Sequence, residues 1–299
     1  MCDYNLISYQ YTRTGRNRFQ FDRCRARVDI RQALATLGAV RTIDLSGKTA
    51  LVAGVANQRS LAWAIAEALS QAGARLILTY QGERLHKNVA ELAATRPGTQ
   101  ILPCDVTNDV EIYALFQKIA AATEGKLDIL VHSIAFARRE DLEGEFRNTS
   151  RDGWHTALDI SAYSLVALTN RATPLMESAG GGAIVSLTFQ ASQRVFPNYN
   201  VMGSAKAALE HATRQLAYEL GPLNVRVNTI SAGPVPTLSA RGISGFTHMA
   251  KHHEKMSPLK RNIEPHEVGD AALFLCSPMA SGITGTTLYV DAGYHIMGV

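Results

Sequence analysis

The amino-acid sequence predicts an α/β fold: an open, doubly wound parallel sheet of about seven strands in a single domain. Three observations predict it. Short apolar strands alternate with helical segments, with no repeat or low-complexity tract between them. The first strand, Thr49–Ala53, runs through a glycine turn into an Ala-rich helix, the arrangement that cradles a pyrophosphate. Later, a long helix places Tyr199 and Lys206 on one face.

The chain begins with a segment set apart by charge. Residues 1–41 carry eight Arg against three Asp, so the tail holds +5 and the remaining 258 residues about −1 of the net +4. This stretch lacks the apolar core of a signal peptide and is poor in Ser, so it reads as a disordered basic leader. The folded domain is expected over residues 42–299. Its near-neutral charge gives no support for nucleic-acid binding. No apolar run is long enough to span a membrane. Cys2, Cys24, Cys104 and Cys276 show no paired spacing, which suits a reducing, cytoplasmic setting.

Within the domain, Gly54 follows the first strand and Ser60 and Ala62 supply the further small residues of the turn. The full three-glycine spacing is absent. Arg75–Tyr80 reads as the second strand, followed by Gln81 where a ribose contact belongs. No cation stands at Gln81 or Gly82 and Glu83 is acidic, a pattern that favours NADH over NADPH. Residues 101–104 form the third strand, ending at Asp105 and Val106; Asp105 could reach an adenine or cap the helix starting near Asn108. Residues 127–133 form the fourth strand, with His132 as a core residue, and lead into Ser133, Ile134, Ala135 and Ala137. A helix follows Trp154. Residues 180–187, 225–230 and 287–291 complete the sheet, and residues 238–262 lack clear periodicity and suggest a mobile substrate flap.

The long helix is expected to start at Pro197 and Asn198, with the Asn side chain capping, and to stop at Gly221-Pro222. Tyr199 and Lys206 lie almost two turns apart, about 10 Å along the axis, so they line a shared ligand rather than each other. Asp159 and Glu210 are lone helix charges and read as solvated. His248, His252 and His253 have helical spacing but no matched third ligand, so a polar flap accounts for them better than a metal site.

These blocks together resemble the short-chain dehydrogenase/reductases, and within them the bacterial enoyl-acyl-carrier-protein reductases of type II fatty-acid synthesis. The similarity spans about residues 44 to 299. It rests on residues 54–62, 132–137, 197–206, 231–237 and 290–297. Alcohol-forming members place Tyr four residues before the Lys and Ser thirteen before that Tyr; here those positions are Met202 and Phe189. The resemblance implies that Gly54, Ser60, Leu61, Gln81, Asp105, Val106, Ser133, Ile134, Ala135, Lys206, Val235 and Thr237 bind the cofactor. It implies catalysis by Tyr199 and Lys206, and an acyl pocket including Ala137, Phe189 and Tyr199. NADH, an acyl carrier protein bearing an enoyl thioester, and a homotetramer are the implied cofactor, partner and assembly. Two departures stand out: Phe189 replaces a second Tyr, and Pro236 replaces a frequent basic residue. A ketone or imine reductase, and a non-catalytic NAD(H)-binding redox sensor, are the alternative readings.

Overall fold

The computed structural model describes residues 42–298. The leader at 1–41, with Cys2 and Cys24, lies outside the described residues. From Ile43 onward the described residues form one compact unit built on a seven-stranded sheet. The strands are β1 (Thr49–Ala53), β2 (Arg75–Tyr80), β3 (Gln100–Pro103), β4 (Ile129–His132), β5 (Gly182–Thr188), β6 (Val225–Ala232) and β7 (Thr287–Val290). All pairings are parallel, in the order β3-β2-β1-β4-β5-β6-β7. The direction of winding reverses between β1 and β4, so the crevice for a ligand opens at their carboxyl ends.

The strands are apolar throughout because both sheet faces are covered. Ala50, Val52, Leu76, Leu78, Ile129 and Val131 pack on one side, with helices α1 (Leu61–Gln71), α2 (Glu83–Ala94) and, further along the chain, Pro265–Cys276. Their neighbours Leu51, Ile77 and Leu130 point to the other side, toward α3 (Asp109–Ala122) and two long helices. This alternation is the two-residue period of a strand.

The remaining helices are α4 (Arg139–Leu142), α5 (Arg151–Leu158), α6 (Ser164–Ser178), α7 (Asn200–Leu220), α8 (Phe246–Met256) and α9 (Pro265–Cys276). A π-helical turn, Asp159–Tyr163, joins α5 to α6. Such turns widen a helix locally and re-aim side chains. Here the buried Ser161 hydroxyl accepts from Phe136 N at 2.9 Å and donates to Phe136 O at 3.1 Å, fixing the loop after β4.

Four expectations need correction. Asn198 does not cap α7: its backbone is left-handed (φ 62°) and its amide donates to Ser244 O at 3.1 Å. Tertiary contact with the flap captures the side chain first. Asp105 does not cap α3, because Asn108 sits at the proper cap position and accepts from Val110 N and Glu111 N. Residues 238–262 are not irregular; they contain a short 3-10 turn, Ser239–Gly242, and the eleven-residue α8. Glu210 is buried, at 5% exposure, not solvated, because α7 is enclosed at that level by β5 and β6. Asp159, by contrast, is exposed as expected.

Candidate active site

The site begins at the turn after β1. Ser133 N donates to Ala53 O at 2.9 Å, which draws the ends of β1 and β4 together. Gly54 sits against them with φ 104°, and a Cβ there would lie 2.1 Å from Ser133 O. Only glycine satisfies both the backbone angle and the space. The turn closes through Asn57, whose carbonyl accepts from the Ser60 hydroxyl at 2.6 Å, and α1 starts immediately afterwards. Ser60 and Leu61, at its N-terminus, line the cavity, and a helix N-terminus favours an anion.

The opposite wall is the start of α7. Tyr199 is half-buried and Lys206 is 5% exposed, and both line one cavity with Gly54, Ser60, Leu61, Ser133, Ile134 and Ala135. Lys206 Nζ donates to Leu187 O, the next-to-last residue of β5, at 2.8 Å. Burial pulls its ammonium down from 10.5 to about 8, and the Glu210 carboxylate pushes back up. Burial pushes the Tyr199 phenol above its ordinary value, so it stays protonated and remains a donor at neutral pH. Phe189 packs on Tyr199 with ring centroids 5.1 Å apart and on Phe196 at 4.8 Å, so it is a wall that sets the phenol's orientation.

Met202 is 6% exposed and packs with Leu142, Ala205, Ala137 and Tyr199 in a small apolar cluster. His132 is fully buried; its Nε2 lies 2.7 Å from Ser164 Oγ, and burial together with the Lys206 charge drives its pKa to about 3. It is a neutral core residue, as the sequence suggests.

The roof is apolar. Val235 and Thr237 follow β6, and Leu238, Ala240, Ile243, Phe246 and Met249 complete the cavity. Phe246, Met249 and His253 recur on one face of α8. His253 is buried at 3% exposure and stacks on Tyr294 at 4.3 Å, so it is a packing residue rather than part of a polar flap. His248 and His252 are exposed. Among the described residues no group of three His, Cys, Asp or Glu could hold a metal ion.

Eleven of the predicted positions thus meet in one cavity: Gly54, Ser60, Leu61, Ser133, Ile134, Ala135, Phe189, Tyr199, Lys206, Val235 and Thr237. Gln81, Asp105 and Val106 lie outside it, beyond the ends of β2 and β3, where Gln81 Nε2 donates to Asp105 Oδ2 at 3.0 Å. Ala137 belongs to the cluster behind Tyr199. Sequence reasoning missed Thr188, Glu210 and the flap side chains. The i, i+3, i+7 spacing of Phe246, Met249 and His253 was a usable signal, diluted by the polar residues between them.

The fold and the paired Tyr199 and Lys206 beside a glycine turn define the class: a doubly wound dinucleotide-binding reductase. The family model described as enoyl-(acyl carrier protein) reductase matches residues 54–295. The NADH-named enoyl-acyl-carrier-protein reductase FabI of Bacillus subtilis is 53% identical over 255 residues, covering 85% of this chain and 98% of that protein. The NADPH-named FabI of Staphylococcus aureus is 44% identical over 85% of this chain and 98% of its own length. The crystal structure of the Bacillus cereus enoyl-acyl carrier protein reductase with NADP+ and indole naphthyridinone superposes with TM-score 0.83 at 51% identity, covering 86% of this chain and all of that one. The chain belongs to the enoyl-acyl-carrier-protein reductase family.

Proposed function

We propose that this protein reduces the trans-2 double bond of enoyl thioesters carried on acyl carrier protein, in type II fatty-acid synthesis, using NADH. The observation that carries the reading is the pairing of Tyr199 with Lys206 in the cavity while Met202, where a ketone reductase would hold its acid, is buried in an apolar cluster. The glycine turn fits a dinucleotide, since Gly54 leaves backbone where any Cβ would collide. A bound nicotinamide would supply the hydride that adds to C3 of the enoyl chain.

The chain's own residues do the rest. As C3 gains the hydride, negative charge appears on the thioester oxygen. The Tyr199 phenol donates a hydrogen bond to that oxygen, stabilising charge present only in the transition state. Lys206 would hold the nicotinamide ribose, and its buried ammonium adds positive potential to the site. Phe189 and the flap side chains enclose the acyl chain. Gln81, Asp105 and Val106 hold the adenosine end. Gln81, tethered to Asp105 and followed by Glu83, supports NADH over NADPH, because it adds acid rather than a cation near the 2′-hydroxyl.

A homotetramer in the cytoplasm completes the proposal. Tyr113 on α3 and Tyr163 at the end of the π-helical turn are exposed and offer apolar surface for a partner subunit. NADH oxidation with an enoyl thioester and with a 3-ketoacyl thioester tests the activity. Oxidation with the enoyl substrate alone is expected; turnover of the ketone would transfer the protein to the other reductase class, and NADH binding without turnover would make it a sensor. Tyr199→Phe should lower turnover about 10²-fold or more, and Lys206→Ala should weaken NADH binding about 10- to 100-fold. Unchanged turnover in Tyr199→Phe would remove the phenol from the mechanism.

A further inference from the structure

A carboxylate buried next to a catalytic lysine calls for a reason, since an uncompensated buried charge is costly. Glu210 lies one turn beyond Lys206 on α7, at four-residue spacing, and both side chains are 5% exposed. The last two residues of β5 hold the pair. Leu187 O accepts from Lys206 Nζ at 2.8 Å, and the Thr188 hydroxyl donates to Glu210 Oε1 at 2.8 Å. Leu187 and Thr188 themselves line the cavity. The hydroxyl fixes the carboxylate, and the carbonyl fixes the ammonium.

We infer that Glu210 is a positioning residue: a buried carboxylate, oriented by Thr188 one helical turn from Lys206, that acts as the countercharge of the lysine at the cofactor cavity. The inference rests on the reductase reading above and assigns a role to a residue outside the reacting groups. The groups that face Lys206 are Tyr199 and Glu210 on its own helix, His132 on β4 and the uncharged end of β5. His132 is held neutral by burial and by Lys206 itself, so it supplies no compensating charge. Burial lowers the ammonium and Glu210 opposes that effect. Removing the carboxylate therefore moves the loss of the Lys206 proton to lower pH.

The test is NADH affinity against pH for the full chain, comparing wild type, Glu210→Gln and Glu210→Asp. For Glu210→Gln the alkaline loss of affinity should move down by about one pH unit. At about pH 8 this variant should bind NADH about 5-fold more weakly than wild type, and at about pH 6 within about twofold. Glu210→Asp keeps the charge and should restore most of the wild-type profile. A Glu210→Gln profile that superimposes on wild type, or a loss equal at every pH, overturns the role. If Glu210→Gln does not fold, the double variant Lys206→Met/Glu210→Gln decides: recovery of a cooperative thermal melt supports charge compensation, and failure to recover overturns it. Absence of NADH binding in the wild type would bring down the reductase reading and this inference together, whereas binding with an unshifted profile brings down this inference alone.

Discussion

The turn after β1 and the segment at 238–256 line the same cavity by opposite means. The turn works through backbone: Gly54 is packed so closely on Ser133 that a single methyl group does not fit. The flap works through side chains, with Phe246 and Met249 partly exposed on α8, Leu238 exposed ahead of the 3-10 turn, and Ser244 between them tied to Asn198 at the start of α7. The difference matches the two ligands each wall would meet. A pyrophosphate is invariant and is recognised by N–H groups in fixed positions. An acyl chain varies in length and is met by replaceable apolar surface.

That contrast can be broken from its rigid side. Gly54→Ala forces a Cβ into the Ser133 carbonyl and an unfavourable φ, so it should cost more than about 4 kcal/mol of stability or abolish NADH binding outright. Denaturant unfolding and NADH titration measure both, and a stable variant that binds NADH normally would show that the turn yields.

His132, buried on β4 next to Ser133, gives a second test. Its folded pKa of about 3 lies below the ordinary 6.5, so the unfolded chain binds the proton more readily. Stability from this group is fully present above pH 6.5 and is lost as pH falls from 6.5 toward 3. The full loss is on the order of 3–5 kcal/mol. Comparing unfolding free energies of wild type and His132→Asn across that window should show a shallower acid decline in the variant; parallel declines would mean that the imidazole is solvated on demand.

On the flap side the effects should be small. Phe246→Ala removes one face of an apolar roof and should raise KM for a long-chain enoyl thioester about 5-fold, with little change in melting temperature. Steady-state kinetics with short and long chains would sharpen the comparison, since only the long substrate should feel the loss. A melting temperature that collapses instead would make α8 a core element, not a substrate wall.

The two walls also differ in how far they could be read from sequence. Around β1 and β2 the boundaries agree residue for residue, because a short apolar run ended by Gly or Gln carries its own signal. On the flap, the inward face of α8 is carried by Phe246, Met249 and His253, spread among Thr, His, Lys and Glu, so its periodic signal is diluted. His253 looked polar and is buried because Gly233 and Tyr294 leave it a flat slot. Asn198 had the right residue type for a cap, but Ser244, distant in sequence, took its amide.

By itself, then, the sequence determined the doubly wound sheet, the glycine turn and the pairing of Tyr199 with Lys206. Each is encoded by local periodicity, by a residue that alone fits a backbone angle, or by spacing along one helix. Tertiary structure alone decided what surrounds that pair. Glu210 became a buried countercharge, and Phe189 became the ring against which Tyr199 rests. Burial and field at Lys206 arise from β4, β5 and α7 meeting in space, and no window of the chain contains all three.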